Sequence, residues 1–236
     1  MRKMLGVGLG ALFTVACASH QQTKLDDSGV ARLNEDQMQP VDNARLDLGR
    51  AQDAVAKAKA NESDARARVE VARSEREVGE AQVKRAAAQR DLLKKQYADK
   101  DAMAQADQDI ASAQDTMRAQ DLKLAYLNEN VNVAVAERNV AEARVLTQQA
   151  IIEQTKYRAM QQAGAPQTAS VNPGDLDSRL AQAKSHEANA QKEAAEKRTQ
   201  AANLYDRWEK VDARARLMTK PQEVPPPAPV AEPLTH

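Results

Sequence analysis

Large aromatic side chains are nearly absent from this 236-residue sequence. It contains a single phenylalanine, Phe13, a single tryptophan, Trp208, and four tyrosines. Such side chains supply much of the apolar area that a globular interior buries. Alanine is the most frequent apolar residue instead. The composition therefore argues against a conventional globular core.

An excess of one charge sign is also missing. The chain carries 34 basic and 34 acidic side chains, a formal net charge of zero. A protein that binds nucleic acid needs a basic surface, and none is indicated, so no nucleic-acid partner is expected. The two signs are finely interleaved, which is typical of the solvated face of a helix.

Cysteine occurs once, which excludes an intramolecular disulfide and a site built from several cysteines. Its position gives it another meaning. Arg2 and Lys3 precede an apolar run from Met4 to Ala16, the pattern of a secretory signal. Thirteen residues are fewer than the roughly 20 that a membrane-spanning helix needs. The sequence predicts a signal peptide at residues 1–16.

The end of this run, Thr14-Val15-Ala16-Cys17, resembles the lipobox of bacterial lipoproteins, although Thr14 stands where that family usually has leucine. The resemblance implies a diacylglyceryl group on Cys17, cleavage before it, and further acylation such as palmitate. The residue at position 18 is Ala18 rather than the Asp that retains enteric lipoproteins at the inner membrane. We therefore expect an outer-membrane lipoprotein that faces the periplasm.

A competing interpretation remains open at the same place. Ala16-Cys17-Ala18 also fits the small-x-small rule of an ordinary signal peptidase. Cleavage after Ala18 would release a soluble periplasmic protein without an anchor.

The mature chain is predicted to be all-α. A lipidated flexible tether at 17–40 precedes an antiparallel coiled-coil hairpin at 41–163, whose turn lies near 98–103. A loop at 164–174 and a third helix at 175–219 follow, with Asp175 as the expected N-cap. The third helix is expected to pack on its predecessor as a three-helix bundle. Six of the nine prolines then lie in a disordered, Pro-rich tail at 220–236.

The hairpin prediction rests on heptads in two phases. One set of apolar positions runs from Val41 to Tyr97 and a second runs from Met103 to Ile152. Antiparallel pairing places large residues opposite small ones, for example Leu124 opposite Gly79. Each arm then extends roughly 90 Å at 1.5 Å per residue. Four charged residues interrupt the seam and are interpreted as setting or loosening its register: Glu62, Arg76, Arg90 and Arg138.

Residue patterns typical of catalysis or metal binding are missing. His20, His186 and His236 are far apart, and His186-Glu187 lacks the second histidine of a zinc-peptidase motif. We expect no catalytic residue, no metal and no cofactor. The leading hypothesis is a non-enzymatic envelope lipoprotein, a membrane-tethered scaffold or spacer that binds proteins through coiled-coil faces or the tail and that could form a homo-oligomer.

Two alternatives belong to other classes. The hairpin resembles in outline those of secretion and efflux adaptors, although the β-rich domains that flank such hairpins have no counterpart in this sequence. A periplasmic chaperone is the other alternative.

Overall fold

The computed structural model describes Leu25 and residues 27–219. The predicted signal peptide, Cys17 and the Pro-rich tail lie outside the described residues. The described residues form helices joined by short turns and contain no strand: α1 (Asp27–Val30), α2 (Glu35–Lys95), α3 (Lys100–Gln162), a 3-10 turn (Pro166–Ser170) and α4 (Pro173–Thr219). The all-α prediction is confirmed.

The three long helices are antiparallel, and α3 lies between the other two. It packs against α2 on one side and α4 on the other, whereas α2 and α4 have no comparable contact with each other. The expected three-helix bundle is therefore an open layer. The antiparallel hairpin of α2 and α3 and the packing of α4 on its predecessor are as predicted.

Buried alanines on both sides of α3 allow this layer. Ala134 and Ala136 are both buried, and so are Ala141 and Ala143. Residues two apart lie about 160° apart around a helix, so each pair faces opposite neighbours. Small side chains let helix axes approach to the short end of the usual 8–10 Å range. The central helix therefore has two narrow seams.

Helix α2 begins earlier than the sequence predicted. Asn34 caps it: the backbone N–H of Gln37 donates to Asn34 Oδ1 (2.9 Å), and the N–H of Asn34 donates to Gln37 Oε1 (3.1 Å). This capping box starts the helix at Glu35 and carries it through Pro40, inside the segment expected to be a flexible tether. The tether prediction is wrong for this part of the segment.

The turn between α2 and α3 occupies residues 96–99, at the early edge of the predicted range. Tyr97 adopts a left-handed conformation (φ 55°), and Asp99 caps α3 by accepting from the N–H of Ala102 (2.8 Å). Because this turn closes early, the pairing shifts by about four residues. Gly79 faces the side chain of Gln120, so the predicted pairing with Leu124 is wrong.

The connection to α4 is closed by Gly164, whose φ of 66° requires glycine-like freedom. Helix α4 begins with Pro173 in its first position, and Asn172 Oδ1 accepts from the N–H of Gly174 (3.0 Å). Asn172 is thus the cap, and the expectation that Asp175 would cap this helix is wrong. Asp175 lies in the first turn, where its carboxylate accepts from Asn172 (3.2 Å).

An apolar cluster closes the end of the layer where the chain enters. We call this end the base. The N–H of Leu25 donates to Glu153 Oε2 (3.0 Å), and Met160, a member of the cluster, is fully buried. The buried members of the cluster come from Leu25 and α1, which we call the entering segment, and from α3 and α4: Leu25, Val30, Tyr157, Met160 and Leu176. The entering segment is therefore held at the base, and the turn at 96–99 forms the opposite end, the tip.

Candidate functional site

Each of the four charged residues that interrupt the α2–α3 seam forms an ion pair across that seam. Arg138 Nη1 lies 3.0 Å from Glu62 Oε2, and both are interruptions noted in the sequence. The other two also pair across the seam, Arg76 with Asp121 (2.5 Å) and Arg90 with Asp107 (2.9 Å). The interruptions therefore act as interhelical ion pairs, and none is left as an unpaired seam defect.

Glu62 is the most enclosed of these charges, with a residue exposure of 8%. The guanidinium of Arg66 donates to its Oε1 from Nε (3.1 Å) and from Nη2 (2.7 Å). That hydrogen bond is the main cause that lowers the pKa of Glu62, and the positive charge of Arg138 adds to it, while burial opposes both. Glu62 is thus held as a carboxylate between two arginines, an arrangement that fixes the seam.

Three of the few aromatic side chains meet between α3 and α4. The ring of Tyr126 lies parallel to that of Trp208 (7°, centroids 5.9 Å apart) and edge-on to that of Tyr205 (5.3 Å). Tyr205 and Trp208 are also edge-on (5.5 Å). The sequence showed these residues only as scattered aromatics. The signal that could have found the cluster is the turn at Gly164, which brings residues 126 and 205 level in an antiparallel pair.

A shallow groove of about 390 Å³ runs beside this cluster. We call it the aromatic groove. Tyr126 and Tyr205 contribute its rings, and Arg198, held by Glu137 (2.8 Å), lies at its polar edge. The full lining is Tyr126, Asn130, Val133, Arg198, Ala201, Ala202, Tyr205 and Asp206.

A second open groove, of about 330 Å³, lies between α2 and α3 on the same face of the layer. Asn130 and Val133 line both grooves and form the ridge between them. The α2 side of this second groove is polar and includes Arg68 and Asp64. Neither groove is an enclosed chamber, so both suit the docking of an extended chain or a helix better than the enclosure of a small molecule.

The outer face of α2 carries a row of exposed apolar residues at heptad spacing. Val71 is 61% exposed and Val78 is 57% exposed. We call this row the outer stripe, and it comprises Ala60, Ala67, Val71, Val78, Ala81, Ala88 and Leu92, all exposed. Spacings of three, four and seven residues keep the stripe on one face. It is thus a helix seam without a partner inside the described chain.

The tip presents the most exposed aromatic residue of the described chain. Tyr97 is 95% exposed, and Leu92 nearby is 54% exposed. Arg214 of α4 lies 4.0 Å from Asp115 of α3, which places the end of α4 about 15 Å short of the turn at the 1.5 Å rise of a helix. The tip therefore projects beyond α4 as two helices.

The residues singled out in the sequence are distributed as follows. Cys17, the lipidation candidate, lies outside the described residues. His186 is exposed on α4. Within the described ranges there is no group of three or more side chains that could hold a metal ion. No helix in the described part of the chain combines the length and apolar character needed to cross a membrane.

Comparison with known proteins assigns this chain to no family. No protein-family model, no curated protein and no solved structure matches this chain.

Proposed function

We propose that this chain is a non-enzymatic, lipid-anchored spacer and scaffold of the bacterial cell envelope. The observation that carries the proposal is that the base, where the chain enters, and the tip lie at opposite ends of the long helices. The entering segment is held at the base, and α2 then runs for 61 residues to the tip, roughly 90 Å at 1.5 Å per residue. A lipid on Cys17 would therefore attach one end of a rod.

The length of the intervening chain supports the same arrangement. Leu25 follows Cys17 by eight residues, which span at most about 28 Å when fully extended. Because Leu25 is buried in the base, this short segment is the whole tether, and it replaces the longer one expected from sequence. The proposed anchor thus keeps the base near the membrane and the tip far from it.

The outer stripe supports a scaffolding role. Helix α3 already shows that one helix of this chain can use two opposite faces for packing, since α2 and α4 bind its two sides. The outer stripe gives α2 a second face of similar character. We assign the homo-oligomer contact of the proposal to this face, with α2 of a second copy as its occupant.

The anchor is tested by fractionation of cells that express the wild type, Cys17→Ser, and the matched control Ala18→Ser. We expect the wild type and the control to be found with membranes, to incorporate labelled palmitate, and to carry acyl mass on an amino-terminal Cys17. Cys17→Ser should be released and unlabelled. An unmodified mature amino terminus at Ser19 would instead establish cleavage after Ala18 and a soluble periplasmic protein.

The oligomer is tested by sedimentation of the mature chain and of a Val71→Lys, Val78→Lys variant. We expect the wild type to sediment as an oligomer and the variant as an elongated monomer of unchanged helicity. A wild type that is already monomeric at all accessible concentrations refutes the assignment of the outer stripe.

An adaptor of an envelope transport complex is the second candidate, and the tip favours it. Tyr97, nearly fully exposed on a left-handed turn, and the two-helix projection around it form an end suited to docking on a channel. A photoreactive residue at position 97 should then crosslink to an outer-membrane channel, whereas one at Gln191 in α4 should not. Equal labelling at both positions contradicts this candidate.

A further inference from the structure

The aromatic groove has the chemistry that recognises polyproline. Extended proline-rich segments bind in shallow grooves lined by tyrosine and tryptophan rings, because their preformed helix loses little entropy on docking. The groove has Tyr126 and Tyr205 along its length, and Trp208 packs against both rings. Tyr205 remains 38% exposed, so apolar ring surface is available to a ligand.

The chain itself contains a ligand of this kind directly after α4. Residues 221–233 hold six prolines, including Pro225-Pro226-Pro227. We propose that this proline-rich segment folds back along α4 and occupies the aromatic groove of its own chain.

The lengths agree with this placement. From Thr219 back to Arg198 is 21 residues of helix, about 32 Å at 1.5 Å per residue. The segment after Thr219 has 17 residues, about 53 Å as polyproline at roughly 3.1 Å per residue. After a reversal that uses three residues, Pro225 lies about 9 Å and Pro233 about 34 Å from the end of α4. The prolines therefore span the whole groove.

The charges are also compatible. Residues 221–233 contain Glu223 and Glu232 and no basic residue. Arg198 lies at the groove edge with its side chain 60% exposed beyond its bond to Glu137. A docked glutamate can share this guanidinium without displacing Glu137. The groove is thus a binding site that the chain fills in cis, independently of whether Cys17 carries lipid.

Disulfide trapping tests the placement, because Cys17 is the only native cysteine. On a Cys17→Ser background, Ala202→Cys in the groove is combined with Val230→Cys, because both positions lie about 25 Å from the end of α4 in the proposed placement. The matched control combines Gln200→Cys with Val230→Cys. Gln200 is exposed and lies about 160° around α4 from Ala202. Both pairs are the same distance along the chain, within two residues.

A docked segment raises the local thiol concentration only at the groove, so the Ala202 pair should close at least about tenfold faster than the control. Its rate should not depend on protein concentration. Tyr205→Leu, which keeps the apolar volume but removes the ring, should abolish the difference at unchanged helicity. Substitution of Pro225, Pro226 and Pro227 by serine should shift the emission of the sole tryptophan, Trp208, to longer wavelength.

Two results would overturn the proposal. Equal closure rates for the two pairs mean that the segment does not dock in the groove. Disulfide-linked dimers whose yield rises with protein concentration mean that the segment of a second copy is the occupant.

Discussion

Removal of one matched heptad pair should shorten the rod without unfolding it. In the observed register, Ala86–Leu92 of α2 lies opposite Asp107–Ala113 of α3, so deletion of both segments keeps the heptad phase on each side. The deletion removes Arg90 and its partner Asp107 together and leaves the turn at 96–99 intact. Seven residues at 1.5 Å give a loss of about 10 Å from roughly 90 Å.

Small-angle scattering of the mature chain measures this change as a decrease in the maximum dimension. The control is Arg90→Ala with Asp107→Ala, which removes the same exposed ion pair, worth less than about 1 kcal/mol, at full length. We expect the control to keep its length and the deletion to lose about 10 Å with unchanged helicity per residue. A deletion variant that keeps its full length, or that no longer unfolds cooperatively, would refute the register from which the segments were chosen.

Three further predictions concern stability. Gly49→Ala should stabilise the chain by about 1 kcal/mol, because an added Cβ meets no atom within 4 Å and alanine is the better helix former. Gly29→Ala should destabilise it by about 1–3 kcal/mol, because the new Cβ would overlap Met160, which is fully buried in the base. The lowered pKa of Glu62 predicts that its contribution is complete above about pH 4.3, the ordinary pKa of glutamate, and is lost as the pH falls through the lower folded value.

Urea unfolding checks all three. The two glycine variants must move the midpoint in opposite directions, and a common direction contradicts the placement of Gly29 against the base. For Glu62, the difference in stability between the wild type and Glu62→Gln should be constant at neutral pH and should close in acid. A difference that grows as the pH falls would contradict the assigned sign.

The sequence was sufficient to predict the helices and their antiparallel order, because heptad periodicity is a local signal. It was insufficient for the register, because a seam of small residues tolerates several alignments. The early turn that placed Gly79 against Gln120 depends on the left-handed backbone of Tyr97, and nothing in the sequence predicts that conformation for a tyrosine. Asn34 and Gln37 do form a recognisable capping pair, and Pro40 concealed it by suggesting that the helix began later.

The aromatic cluster was hidden for a different reason. Tyr126 and Tyr205 are 79 residues apart in the chain, so their contact follows only when the α3–α4 turn is known. The open layer was equally hidden, because periodicity reveals that a helix has an apolar face and does not reveal which helix covers it. The outer stripe of α2 shows the same ambiguity, since its spacing would serve an internal partner as well as a second copy.

The length of this rod depends on its register, and the register depends on charge. A slip of one heptad in the α2–α3 seam replaces small side chains by other small side chains, so it changes the buried apolar area little. The same slip separates Glu62 from Arg138. The buried carboxylate of Glu62 then loses one of its two arginine partners, which is costly because little water can replace it. Alanine seams therefore permit close packing, while the charged interruptions exclude the alternative alignments. The proposed spacer role needs this combination, because each heptad of slip would displace one helix along the other by about 10 Å and so change the distance from the base to the tip.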